Sequence, residues 1–330
     1  MSLRAASHVL ALSSLLTCAL ALGGCAASHD EGTEDDGALA TAPPKTGAWA
    51  VSLPEGRKAV SVAMAGGKLY AGLNDTGGHV VVVDPATTKV LSEIATYDLA
   101  GKTGLRVHAD DGITRDGNSL VFYGYANEGP GAQFQEVIAW FDPVTKKVTK
   151  EVRVELDKTI INPSSELVDR PRVSVAVSGG KVWVALRHDR ASKLVSFEVP
   201  SAASSVVNHD GALFAAGTSI ERYSKGLAVR AGAAYTVVAS GAKDGYLVRV
   251  DLASGKSTKI AKQLGYPTRV SFDAGKLYVN DYNGALLTVD EATGNITKSD
   301  EVDDFLEDAT FDADYAYLVT DSKFVVLARH

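Results

Sequence analysis

The chain has 330 residues, 45% of them apolar, and a net charge of −7. That is enough apolar material for a full core, and the charge argues against nucleic acid, whose phosphates call for a basic surface. Both cysteines, Cys18 and Cys25, lie in the first 25 residues, so a chain without its leader has no disulfide and no thiolate metal site.

Arg4 is the one charge ahead of the apolar run Val9–Leu22. The run is shorter than the about 20 residues a membrane-spanning helix needs, and it suits the apolar core of a signal peptide. Leu22-Gly23-Gly24-Cys25 follows directly and resembles the bacterial lipobox. The resemblance implies a signal peptide over 1–24, cleavage after Gly24, and acyl chains, palmitate among them, on Cys25. Several acyl chains make a stable anchor. Ala26 rather than Asp after the cysteine points to the outer membrane, with the domain in the periplasm or at the cell surface. The alternative is an ordinary secretory signal with an incidental cysteine. Residues 25–47 are acidic and contain Pro43-Pro44, with Leu39 the only large apolar side chain before Gly47. Such a stretch cannot bury enough surface to fold, and it reads as an extended tether, a divalent-ion-binding tail being the alternative.

From Trp49 onward, short β-branched and aromatic runs alternate with Gly, Asn, Asp and Pro turns, which predicts an all-β domain over 48–330. A two-part repeat runs through it. The first part is two apolar strands around a Gly turn: VSVAMAGGKLYAG from Val60, VSVAVSGGKVWVAL from Val173, LAVRAGAAYTVVA from Leu227 and VSFDAGKLYVN from Val270. Weaker copies start at Ile113 and Ala309. The second part is a strand, Asp-x-x-Ser/Thr, and another strand, with Asp84, Asp142, Asp251 and Asp290 as the turn acids. A degenerate copy, LVSFEVPSAASSV, starts at Leu194. The carboxylate of each turn acid accepts amides two or three residues on. Four strands per repeat, labelled a to d outward, predict a β-propeller of four-stranded blades. Six blades are expected, with seven open because Gly211–Tyr223 is either an insertion or a stunted blade. The last copy stops after Phe324–Ala328 without a strand d, and Ala48–Leu53 is an unassigned strand, so the two are expected to pair and join the chain ends.

These motifs resemble the propeller repeats of the YVTN and PQQ-like (quinoprotein-type) groups, which include scaffolds, assembly factors and dehydrogenases. The Trp that commonly follows the Asp turn in quinoprotein repeats is absent, with Val90, Val148, Ile260 and Ile296 in that vicinity. PQQ is therefore not expected, nor is a metal or other cofactor.

No phosphate loop, HExxH pair or GxSxG elbow occurs. Candidate chemistry gathers on the end of the propeller built from b–c and d–a loops. Aligning the copies puts Ala59, Asp110, Arg172, Ser224, Arg269 and Asp308 at the entrances of successive innermost strands. Asp110 with Arg172, and Arg269 with Asp308, are expected either to pair between neighbouring blades or to form a mouth for an anionic or sugar-like ligand, Arg supplying forked donors. Arg170, Arg187, Arg190, Tyr266 and Tyr282 stand in loops nearby. His79, His108 and His188 fall in loops at the same end and are the candidate metal or acid–base set. Trp49, Trp140 and Trp183 read as packing residues. Two functions are weighed ahead of a third, a purely structural envelope protein. One is a non-catalytic, membrane-anchored binding or assembly scaffold whose loop end takes an envelope protein or a small polar ligand. The other is an envelope hydrolase or lyase acting on sugars or lactones at the channel mouth.

Overall fold

In this computed structural model the described residues are 44–53, 56–74, 78–96, 105–107, 112–126, 135–155, 172–187, 192–199, 204–208, 224–230, 232–239 and 245–329. All belong to the unit Thr41–His330. They form an all-β propeller. In chain order the strands are β1 (Gly47–Trp49), β2 (Ala59–Ala65), β3 (Lys68–Leu73), β4 (His79–Asp84), β5 (Lys89–Ala95), β6 (Leu105–Val107), β7 (Ile113–Asp116), β8 (Ser119–Ala126), β9 (Gln135–Asp142) and β10 (Lys147–Glu155). Next come β11 (Arg172–Ser178), β12 (Lys181–Arg187), β13 (Ser192–Glu198), β14 (Ser204–Asn208), β15 (Ser224–Arg230), β16 (Ala233–Val238), β17 (Tyr246–Asp251) and β18 (Ser257–Lys262). The last are β19 (Pro267–Asp273), β20 (Lys276–Asp281), β21 (Ala285–Val289), β22 (Ile296–Glu301), β23 (Leu306–Phe311), β24 (Tyr315–Thr320) and β25 (Phe324–Ala328).

Five antiparallel four-stranded blades are complete: β2 to β5, β7 to β10, β15 to β18, β19 to β22, and β23 to β25 with β1. Complete blades are thus five, where six were expected with seven open. The sheet of β11, β12 and β13 has three strands, because β14 leaves it and pairs parallel with β10, Glu151 opposite Ser204. The sequence after β13, Glu198-Val199-Pro200, lacks the Asp whose carboxylate closes the turn in the other copies, which removes the local signal for a strand folding back onto β13. The other turns form as their sequence dictates. Asp84 accepts the Ala86 amide at 3.0 Å, and Asp142 the Val144 amide at 2.8 Å. Asp251 accepts the Ser254 amide at 2.8 Å, and Asp290 the Thr293 amide at 2.7 Å.

Period-two alternation sends opposite faces of each blade to opposite neighbours. In the first blade Ala63, Tyr70, Val80 and Val82 pack on Ile113, Phe122 and Phe141 of the second. Val62, Leu69, Val81 and Val83 pack on Tyr317 and Val319 of the last blade. Middle strands are therefore apolar on both faces, whereas β5 and β22, outermost, are mainly exposed and carry Lys, Ser and Glu. Complete burial of a side chain such as Leu69 or Val81 contributes about 1.5–3 kcal/mol.

Gly47–Trp49 pairs antiparallel with Phe324–Val326, one residue earlier than the expected start at Ala48 and shorter at its end. The Trp49 ring, 7% exposed, stacks on Phe324 at 5.2 Å and 6°, and its Nε1 donates to the Lys45 carbonyl at 3.1 Å. Trp49→Ala is expected to lower the unfolding free energy in urea by about 3–5 kcal/mol. Trp49→Phe keeps a ring on Phe324 but loses the indole bond and part of the ring volume, so it should cost less, about 1–3 kcal/mol.

Candidate functional site

The innermost strands β2, β7, β11, β15, β19 and β23 line a central cavity of about 250 Å3. Charge reaches it from Arg115, Arg269, Asp273 and Asp308. At the loop end Arg269 forms an ion pair with Asp308, which is 2% exposed. Asp308 also accepts the Val62 amide of the first blade at 2.6 Å through Oδ2, and its own neighbour's amide, Ala309, at 2.7 Å through Oδ1. Burial pushes its carboxyl up from the usual range, and Arg269 with the two amides draws it back only in part. Of the residues expected at the mouth, Arg269 and Asp308 are engaged with each other.

The other expected positions divide. Asp110, Arg170, Arg190, His108 and His188 lie outside the described residues. Ala59, Arg172 and Ser224 begin β2, β11 and β15, and Arg172 is the cross-strand partner of Arg187. His79 opens β4, with Nε2 3.7 Å from Oε1 of Glu93, whose carboxylate also takes Arg57 at 2.9 and 3.1 Å. Among the described residues no three His, Cys, Asp or Glu side chains are arranged for a metal ion.

Tyr266 and Tyr282 are brought together, and with them a residue the sequence reading passed over, Phe305. Tyr266 follows β18, Tyr282 follows β20 and Phe305 precedes β23, so three separate loops supply the rings. Tyr282 lies 5.8 Å from Tyr266 at 59°, and stacks on Phe305 at 4.6 Å and 8°. Phe305 is 47% exposed.

The loops beneath are tied by hydrogen bonds. Asp281 Oδ1 accepts the amides of Tyr266 and Asn283 at 3.1 and 3.0 Å, and the Tyr266 carbonyl accepts the Tyr282 amide at 2.8 Å. Gly265 sits at φ +71°, where a Cβ would also run into the Asp281 carboxylate, so the approach to Tyr266 requires glycine. Under Phe305, Asp304 accepts the Phe305 amide at 2.9 Å and clamps the next loop through Thr320 Oγ1 at 2.6 Å and Ser322 Oγ at 2.5 Å. Lys58 donates to Asp321 at 2.8 Å beside them.

Two predictions follow from these ties. Arg269→Met strands the Asp308 carboxylate in the core and should cost about 3–5 kcal/mol in urea unfolding. The double variant Arg269→Met/Asp308→Asn, uncharged and still able to accept from Val62, should recover most of that loss. Burial works against ionised Asp304, but its hydrogen bonds from Ser322, Thr320 and Phe305 outweigh burial and hold the carboxyl at about 2, below the ordinary 3.8. Its stabilising contribution is therefore complete above 3.8 and lost as pH falls towards 2. Asp304→Asn should lower the melting temperature at neutral pH, and its deficit against wild type should shrink on acidification through that window.

No protein-family model matches the chain, and no curated protein sequence matches it either. Among solved structures it is similar to the computationally designed Ika8 protein, at 12% identity and TM-score 0.47 over 86% of this chain and 100% of that one. It is similar to BamB from Moraxella catarrhalis at 14% identity and TM-score 0.43, over 82% and 85% of the two chains. A nidogen/laminin complex gives 13% identity and TM-score 0.47, over 74% and 80%. At these values none carries an argument for this chain, whose fold rests on its own strand pairing.

Proposed function

We propose that this protein is a membrane-anchored, non-catalytic binding scaffold of the bacterial cell envelope, held through acylated Cys25 and engaging an envelope protein with its loop end. The observation that carries the reading is the ledge of Tyr266, Tyr282 and Phe305, an aromatic surface left partly exposed on loops that hydrogen bonds hold in place. Preorganised aromatic surface is what binding faces use, because little entropy is lost when a partner docks. We further infer that the three-stranded sheet β11 to β13 counts as a sixth, reduced blade, since its inner strand takes a place in the cavity wall beside the others. The finer assignment to YVTN or PQQ-like repeats rests on the repeat residues alone. The outer membrane rests on Ala26 after Cys25.

A photo-crosslinking amino acid placed in full-length protein in native membranes tests the reading. Positions Asn283, Phe305 and Lys323 sample the loop end, and Lys146, Ala253 and Ala292 the turn end. Specific adducts to one envelope protein are expected from the loop positions only. Adducts from the turn positions alone, or from none, would overturn the loop-end reading. Cys25→Ala should in addition abolish palmitate labelling and release the protein from the membrane fraction; continued labelling would refute the anchor.

A further inference from the structure

We propose that the Tyr266–Tyr282–Phe305 ledge docks an extended segment of a partner protein that carries arginine or lysine side chains. The inference rests on the scaffold reading and names the chemistry of its partner.

The first ground is the rings themselves. Stacked and tilted at 4.6 and 5.8 Å, they present one continuous aromatic surface, and Phe305 is the only aromatic among the large exposed apolar side chains of the described residues. Aromatic faces carry the negative part of a quadrupole and attract a guanidinium or ammonium group laid over them.

Charge is the second ground. Among the described residues, the carboxylates of Asp304, Glu307 and Asp321 and the cations Lys58 and Lys323 stand about the rings, with Asp303 beside Asp304 in the chain. Lys58 donates to Asp321 at 2.8 Å and offsets that carboxylate, and Lys323 Nζ donates to the Asp303 carbonyl at 3.0 Å, so the four acids still outnumber the two lysines. Burial pushes the Tyr282 hydroxyl up, and Asp321 and Glu307 push it further than Lys58 draws it back, so the excess of negative charge is felt at the ledge itself. An anionic segment would be repelled. A neutral sugar could stack on the rings but would gain nothing from the rim.

The test is ligand-observed NMR and calorimetry on the full chain with the peptide acetyl-(Gly-Arg)3-amide. Acetyl-(Gly-Glu)3-amide and the neutral oligosaccharide xylohexaose serve as competitors for the assignment. The arginine peptide should bind, weaken as salt is raised, and bind about two- to fivefold more weakly to Phe305→Ser, the loss of one exposed cation–π contact. Asp303→Asn should weaken it as well. Phe305 is 47% exposed but stacks on Tyr282, so the melting temperature of Phe305→Ser should fall only slightly, and Asp303→Asn, which leaves the stack intact, reports on binding with the fold unchanged. Equal binding of the glutamate peptide, binding unaffected by Phe305→Ser, or binding of xylohexaose alone would overturn the proposal. If the arginine peptide fails while crosslinks from position 305 persist, the basic-segment inference falls and the scaffold reading stands.

Discussion

Three blades meet at one carboxylate. Asp308 belongs to the blade of β23, takes its counter-ion from Arg269 in the blade of β19, and accepts the amide of Val62 in the blade of β2. A propeller has no single core; each blade is wedged between two neighbours, so a break at any joint leaves two faces unpacked. The joint between last and first blades is special, because no loop crosses it except through β1. Asp308 and Thr310 tie that joint at the axis, where Thr310 Oγ1 accepts the Met64 amide at 3.2 Å, and Trp49 on Phe324 ties it at the rim. A buried ion pair is weak evidence for stability in itself, but here it fixes which strands stand beside which.

The neighbouring joint, between the blades of β19 and β23, is stapled at its turn end. Arg329 reaches Asp273 at 2.5 Å and Tyr278 Oη at 3.0 Å, and its guanidinium lies 5.1 Å from the Phe311 ring centroid. Tyr278 and Phe311 stack at 4.4 Å between the two blades. Tyr317, its hydroxyl 2.5 Å from Asp312 and its pKa pushed up by burial and that carboxylate, is a buried neutral donor. Polar groups thus hold blades together at both ends of the axis.

What could be read in the sequence was what depends on near neighbours along the chain. The Asp turns were legible because Asp84, Asp142, Asp251 and Asp290 each satisfy amides within three residues. The pairing of Arg269 with Asp308 was legible as one of two outcomes, because the repeat aligns equivalent positions of adjacent blades. The third partner, Val62, was not, since it lies 246 residues away and contributes only a backbone amide. Phe305 was missed for a related reason: in the acidic run Glu301–Asp308 it looks like a stray apolar residue, and its meaning comes from Tyr282 arriving from another loop. The fourth strand of the β11 sheet was not legible, because β14 pairs with β10 of the preceding sheet instead.

The three residue pairs between Gly47–Trp49 and Phe324–Val326 also set how the domain meets mechanical load. β25 runs from the loop end to the turn end, so antiparallel β1 runs the opposite way and the chain enters at the turn end, where the Lys45 amide donates to the Pro85 carbonyl at 2.9 Å. A pull on the preceding segment, directed away from that end, acts along the axis of β1. All three pairs are then sheared together instead of being unzipped one after another, with the Trp49 ring, wedged against Phe324 at the far end, acting as the stop.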